Sequence, residues 1–203
     1  MTETSNYRYG FYLRPDYATS KAIADAHQLL RAQYGFITAG LFMPHATIKG
    51  FYRSDADIAD MVTRLDAAFA GFKPCTVYNG GIIKMGSGLV TSWQHLPDGV
   101  TPNPGLIEAS DRSWAALEPL IHPDCDFRHR DPRGSQFHAH ITVAMADIPR
   151  KMQDEVMAFL NEGGRLGSTS FVANTYHLFR FKADWQANWW HTLTWDLLHS
   201  WQF

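Results

Sequence analysis

The chain has 203 residues, 45% hydrophobic and 14% aromatic, with a formal charge of −2. This is ample core material for a folded chain, and one domain of this length buries roughly 70% of its unfolded surface, so disorder is not expected. The near-neutral charge argues against a protein that tracks long duplex nucleic acid, which needs a strongly basic face. Met1 to Asn6 is polar and lacks the basic and apolar regions of a signal peptide, and no stretch approaches the ~18 apolar residues of a membrane span. A cytoplasmic protein with no membrane partner is expected. Cys75 and Cys125 are too few for a disulfide framework, so both are expected as free thiols. Glycines and prolines are scattered with no linker tract, and one domain over residues 1–203 is the economical reading.

Tyr7 to Leu13 alternates and is rich in strand formers, giving a first strand. A helix is predicted from Asp16–Ala18 to Tyr34, carried by Ile23, Ala26 and Leu30 and stopped by Gly35. A strand from about His45 to Tyr52 follows. Ser54-Asp55 is expected to cap a second helix through Ile58, Met61, Val62, Leu65 and Phe69, ending at Gly71. Thr76 to Tyr78, Gly81 to Lys84 and Leu89 to His95 read as short strands, and Gly105 to Ile121 as a third helix. Ala139 to Met145 is the next strand. Pro149 opens a fourth helix through Val156, Phe159 and Leu160, closed by Gly163-Gly164. Ser170 to Phe181 and Trp189 to His199 are expected as a terminal hairpin.

Two of these strands carry the same short string. His45-Ala46-Thr47-Ile48 and His140-Ile141-Thr142-Val143 lie nearly half the chain apart. Strand side chains alternate, so each string presents an imidazole and a hydroxyl on one face and an apolar residue on the other. Two such pairs face to face suit phosphate-ester hydrolysis. One histidine takes a proton from the attacking oxygen and the other gives one to the leaving oxygen, while the hydroxyls bind the non-bridging oxygens. This chemistry requires neither metal nor cofactor. No H-E-x-x-H string and no glycine-rich phosphate loop with its lysine occurs.

The paired motifs resemble those of the 2H phosphoesterase superfamily, whose members include the bacterial 2′-5′ RNA ligase-like proteins and cyclic phosphodiesterases. The resemblance implies a two-lobed α+β fold with two antiparallel sheets lining a central cleft and helices outside. It also implies a phosphodiesterase with His45 and His140 as catalytic acid and base and Thr47 and Thr142 as phosphate ligands. The expected substrate is a nucleotide or RNA terminus carrying a 2′,3′-cyclic phosphate, a 2′-5′ linkage or a cyclic oligonucleotide linkage, and a monomer is favoured. Many relatives in the ligase-like branch have a basic residue shortly after the second motif, where this chain has Ala144-Met145, which counts against a ligase or long-RNA role. The alternative from another class is a module that binds an RNA end or nucleotide in the same cleft without turnover.

Further candidates rest on placement. His138 and Lys49 share a face with His140 and His45 if both strands are regular. Among Tyr12, Tyr52, Trp93, Trp185, Trp189 and Trp190, Tyr12 and Trp93 are selected to border the cleft and stack a base. Phe51 is read as core or rim packing. Arg128, Arg130 and Arg133 are read as a solvated loop. A zinc site at His122, Cys125 and His129, with His138, is a weaker alternative because the spacing fits no common zinc pattern.

Overall fold

Each strand named above finds an antiparallel partner, and the order of those partners brings the two motifs side by side. A computed structural model describes residues 7–125, 132–185 and 188–203. In chain order the elements are β1 (Tyr7–Leu13), α1 (Tyr17–Tyr34), β2 (Ala46–Tyr52), α2 (Ile58–Phe69), β3 (Cys75–Tyr78), β4 (Ile82–Met85) and β5 (Gly88–Ser92). They continue with α3 (Pro104–Leu117), β6 (His140–Ala144), α4 (Gln153–Glu162), β7 (Ser170–Ala173), β8 (Thr175–Lys182) and β9 (Thr194–Gln202). The larger sheet runs β4-β5-β6-β2-β1-β8-β9, and β3 pairs with β7 in a separate sheet. The halves β4-β5-β6 and β2-β1-β8-β9 meet at one paired position, Ala46 opposite Ile141. The α+β architecture expected from the sequence is the one observed, with both motif strands at the junction of the two halves. Among the described residues no helix is long and apolar enough to cross a membrane.

Local chemistry explains the element ends. The Asp16 carboxylate accepts a hydrogen bond from the Thr19 amide at 2.9 Å, capping α1, and Gly35 stops it at φ +76°. The cap predicted for α2 lies slightly off. Ser54 Oγ instead accepts from the Ala56 amide, and Asp57 occupies the capping position without a side-chain bond. The predicted Ser170–Phe181 strand is two strands in different sheets. The Asn174 amide bonds to the Val172 carbonyl, turning the chain so that β7 joins β3 while β8 joins β1. Likewise Trp189–Thr192 is a 3-10 turn, and the strand predicted there begins only at Thr194.

Both faces of the central strands are covered. Phe11, Leu13, Ile48 and Ile141 enter the main core with Ile23 and Leu30 of α1, Leu65 and Phe69 of α2, Trp114 of α3 and Val156 of α4. Phe11 is fully buried, and its truncation to alanine costs about 3–5 kcal/mol. On the opposite face Tyr12, Phe179 and Phe181 form a smaller aromatic cluster, with Phe42, Phe51 and Trp185 packed against it. One irregularity matters for the site. Tyr12 pairs with Thr47, but the next residue, Phe11, pairs with Lys49, so β2 carries an extra residue there. This bulge reverses the alternation and turns Lys49 to the Phe11 side.

Candidate active site

The single pair joining the two half-sheets fixes the motif geometry. Carried one residue each way, the antiparallel register of Ala46 and Ile141 sets His45 across from Thr142 and Thr47 across from His140. The motifs are crossed: each histidine faces the other motif's threonine. Ala46 and Ile141 are each 1% exposed on the core side, whereas the two histidines and two threonines are only partly buried on the other. The same row extends across the sheet, with Tyr12 opposite Thr47, His177 opposite Tyr12 and Ser92 opposite His140.

Both imidazoles are held by the same device. His45 Nδ1 donates to the Met43 carbonyl at 2.7 Å, and His140 Nδ1 donates to the His138 carbonyl at 2.8 Å. A carbonyl only accepts, so each Nδ1 carries hydrogen and each Nε2 is left to exchange protons. Desolvation pushes the His45 pKa down to about 4. The carbonyl bond opposes this, and the charges of His140 and His27 push in the same direction as burial. Desolvation also lowers the His140 pKa, again opposed by its carbonyl bond. Both imidazoles are therefore predominantly neutral at pH 7, His45 the more firmly.

A cleft of about 280 Å³ opens beside the motifs, bordered by Thr47, Thr142, Phe42, Phe51 and Trp189. His45 stands in its wall against the edge of Tyr12, with ring centroids 4.6 Å apart. Gly10 leaves room for this arrangement: a Cβ there would lie 2.5 Å from Tyr12 Cζ. Trp189 lies 5.7 Å from Phe51 and 6.1 Å from Phe42, so aromatic rings form one end of the cleft. His27 of α1 completes the wall and donates from Nε2 to the Thr142 carbonyl at 3.1 Å, tying α1 to the second motif.

Several residues predicted to meet substrate lie elsewhere. Lys49 is fully buried, with its Nζ 4.3 Å from the Trp114 ring centroid and bonded to the Gly50 carbonyl, because the bulge turns it inward. Trp93 is 1% exposed, packs on Phe171 at 4.8 Å and donates to Thr91 Oγ1, because it follows Ser92, which lies opposite His140, and points to the other side. Tyr12 borders the cleft as expected, but at 3% exposure between His45, Phe179 and Phe181 it supports the site rather than offering an open stacking face. Tyr52 belongs to the core. His138 lies beside the site, 3.3 Å from Ser92 Oγ and with its ring 6.1 Å from that of His140.

The remaining sequence candidates are also placed. Arg133 is an exposed residue that pairs with Glu118 at 2.7 Å and lies 3.6 Å over the Trp114 ring, in keeping with a solvated loop; Arg128, Arg130 and His129 lie outside the described residues. Cys125 Sγ accepts from the Arg53 amide, and His122 contacts the Arg53 guanidinium. Among the described residues no group of three or more metal-binding side chains occurs. Sequence reasoning missed His27, although a histidine within the Ile23, Ala26 and Leu30 stripe was a visible signal. It also missed Ser92, whose place beside His140 depends on strand pairing.

No protein-family model and no curated protein matches this sequence. Solved structures match over nearly its whole length. The chain is similar to E. coli LigT complexed with NADP+, with a TM-score of 0.54 and 13% identity over 97% of each chain. It is similar to TT0787 of Thermus thermophilus, with a TM-score of 0.57 and 12% identity over 96% of this chain and 97% of that one. A crystal structure of a phosphoesterase matches with a TM-score of 0.50 and 13% identity over 98% of each chain. LigT has also been crystallised with ATP and with 3′-AMP.

Proposed function

We propose that this chain, which has the fold of LigT, is a 2H-type phosphodiesterase that hydrolyses a cyclic or 2′-linked nucleotide phosphoester by two-histidine acid/base catalysis. The observation that carries the reading is the crossed pairing of the motifs, each imidazole opposite the other motif's hydroxyl, with both Nδ1 atoms held by backbone carbonyls. A phosphoryl group seated between the strands has one Nε2 on each side and a threonine hydroxyl available to its non-bridging oxygens. The nucleotide complexes of LigT support a nucleotide as the bound species.

The proton affinities divide the labour. His45, neutral down to about pH 4, is the general base: its Nε2 takes the proton of water as the water oxygen bonds to phosphorus. His140 is the general acid, its Nε2–H passing to the ribose oxygen as the phosphorus–oxygen bond breaks opposite the incoming water. Burial lowers the proton affinity of His140, and the negative charge of the bound phosphodiester raises it. Thr47 and Thr142 hold the charge that builds on the phosphoryl oxygens. Trp189, with Phe42 and Phe51, offers the aromatic end of the cleft to a base or sugar.

The test is product analysis with 2′,3′-cyclic nucleotides, 2′-5′ oligoadenylate and cyclic dinucleotides in heavy-oxygen water containing EDTA. Hydrolysis places one heavy oxygen in the product phosphate. Saturable nucleotide binding with no product from any of these substrates would instead give the non-catalytic binding module.

A further inference from the structure

His45 has a second hollow on its far side. It holds about 270 Å³ and shares Tyr12, Met43, Pro44 and His45 with the first cleft, so the two open on either side of the same imidazole. Its outer walls are Arg14, His177, Trp195 and Leu197.

The register explains why these side chains converge. Tyr12 pairs with Thr47 and Leu13 with Ala46, so Arg14, one residue on, lies beside His45, a strand spacing of ~4.8 Å away. His177 pairs with Tyr12, two strands or ~10 Å from Thr47. Leu13 is in the main core, which turns Arg14 to the cleft side. Its guanidinium contacts Thr175 Oγ1 at 3.4 Å, and among the described residues no carboxylate forms an ion pair with Arg14 or His177. Burial first, and then the charge of Arg14, lowers the His177 pKa, so the guanidinium and the imidazole share one electrostatic neighbourhood.

The opposite wall is apolar and open. Trp195 is 40% exposed and Leu197 51% exposed, although both lie on an ordered strand. Trp195 is fixed in place, donating from Nε1 to the Leu41 carbonyl at 3.0 Å and packing on Phe179 at 5.5 Å. A cationic corner facing a rigid apolar shelf, both adjoining a proposed catalytic imidazole, matches a nucleotide: phosphate on one side, base on the other.

We propose that this hollow is a second subsite that holds the nucleoside bearing the scissile phosphate, with Arg14 and His177 binding its 5′-phosphate and Trp195 and Leu197 taking its base. Resting on the phosphodiesterase reading, this makes the preferred substrate a 5′-phosphorylated nucleotide or the end of an oligonucleotide rather than a lone cyclic nucleoside phosphate.

Calorimetric titration with adenosine 3′,5′-bisphosphate and with adenosine 3′-monophosphate tests this without requiring turnover. The bisphosphate should bind at least about tenfold more tightly, as expected for a charge-assisted contact. That ratio should fall toward one in Arg14→Gln and be largely retained in Arg14→Lys, which keeps the charge. Equal affinities in the native protein, or an undiminished ratio in Arg14→Gln, would overturn the subsite. Turnover of a cyclic mononucleotide without a bisphosphate preference rejects the subsite alone. An Arg14-dependent preference without turnover of any phosphodiester rejects the catalytic reading alone.

Discussion

The depressed proton affinity of His45 makes a quantitative prediction about acid. With a pKa of about 4, His45 is about 90% neutral at pH 5, where an ordinary imidazole of pKa ~6.5 is about 97% protonated. A phosphodiester substrate carries one negative charge throughout this range, so the limbs of kcat/KM belong to the protein. The acid limb should fall near pH 4 as His45 gains its proton. The alkaline limb should lie below pH 6.5, because His140 must be protonated and its own pKa is lowered. Stability follows with a definite sign. The folded pKa of His45 is below the unfolded one, so between about pH 6.5 and 4 the unfolded chain binds more protons, and stability is lost as the pH falls through that window. At 1.36 kcal/mol per pH unit the loss is at most about 3 kcal/mol, reduced by solvent reaching His45 through the cleft. Rate profiles on a 2′,3′-cyclic mononucleotide, with an NMR titration of the His45 ring, measure both. A His45 pKa near 6.5, or an acid limb at that pH, would refute the desolvation argument.

Gly10→Ala should push Tyr12 against His45, lowering stability by about 1–3 kcal/mol in thermal unfolding and kcat/KM by about tenfold or more. Lys49→Met should leave kcat/KM within about threefold in steady-state assays, since Lys49 lies in the core, and removing a buried charge need not destabilise the fold. Trp189→Ala should raise KM by about 5- to 100-fold with little change in kcat if a base stacks there, as initial-rate kinetics will report. His138→Ala keeps the backbone carbonyl that holds His140, so kcat should fall by less than about tenfold.

How far the sequence could be read depended on whether a feature was local. The ends of α1 were legible because Asp16 and Gly35 act within a few residues. The shared face of each motif's histidine and threonine was legible because a two-residue offset on a strand already determines it. Lys49 was misplaced because the same alternation was carried through a bulge visible only in the pairing of β1 with β2. Trp93 failed differently: it is one residue past Ser92, so placing the face correctly required knowing that β5 lies beside β6. Asn174 gave no strong breaker signal, and the sheet change there is decided by which partners β7 and β8 find. Arg14 and His177 are 163 positions apart in number yet meet at one wall because β1 pairs with β8.

On the proposed mechanism His45 and His140 divide the proton transfers of one phosphodiester hydrolysis. The most direct test is turnover, in EDTA, of the preferred cyclic or 2′-linked substrate by the native protein, His45→Ala and His140→Ala, with folding of each confirmed by thermal unfolding. Each substitution should lower kcat by about 10²- to 10⁴-fold. Native-like turnover in either folded variant would rule out this division of proton transfers.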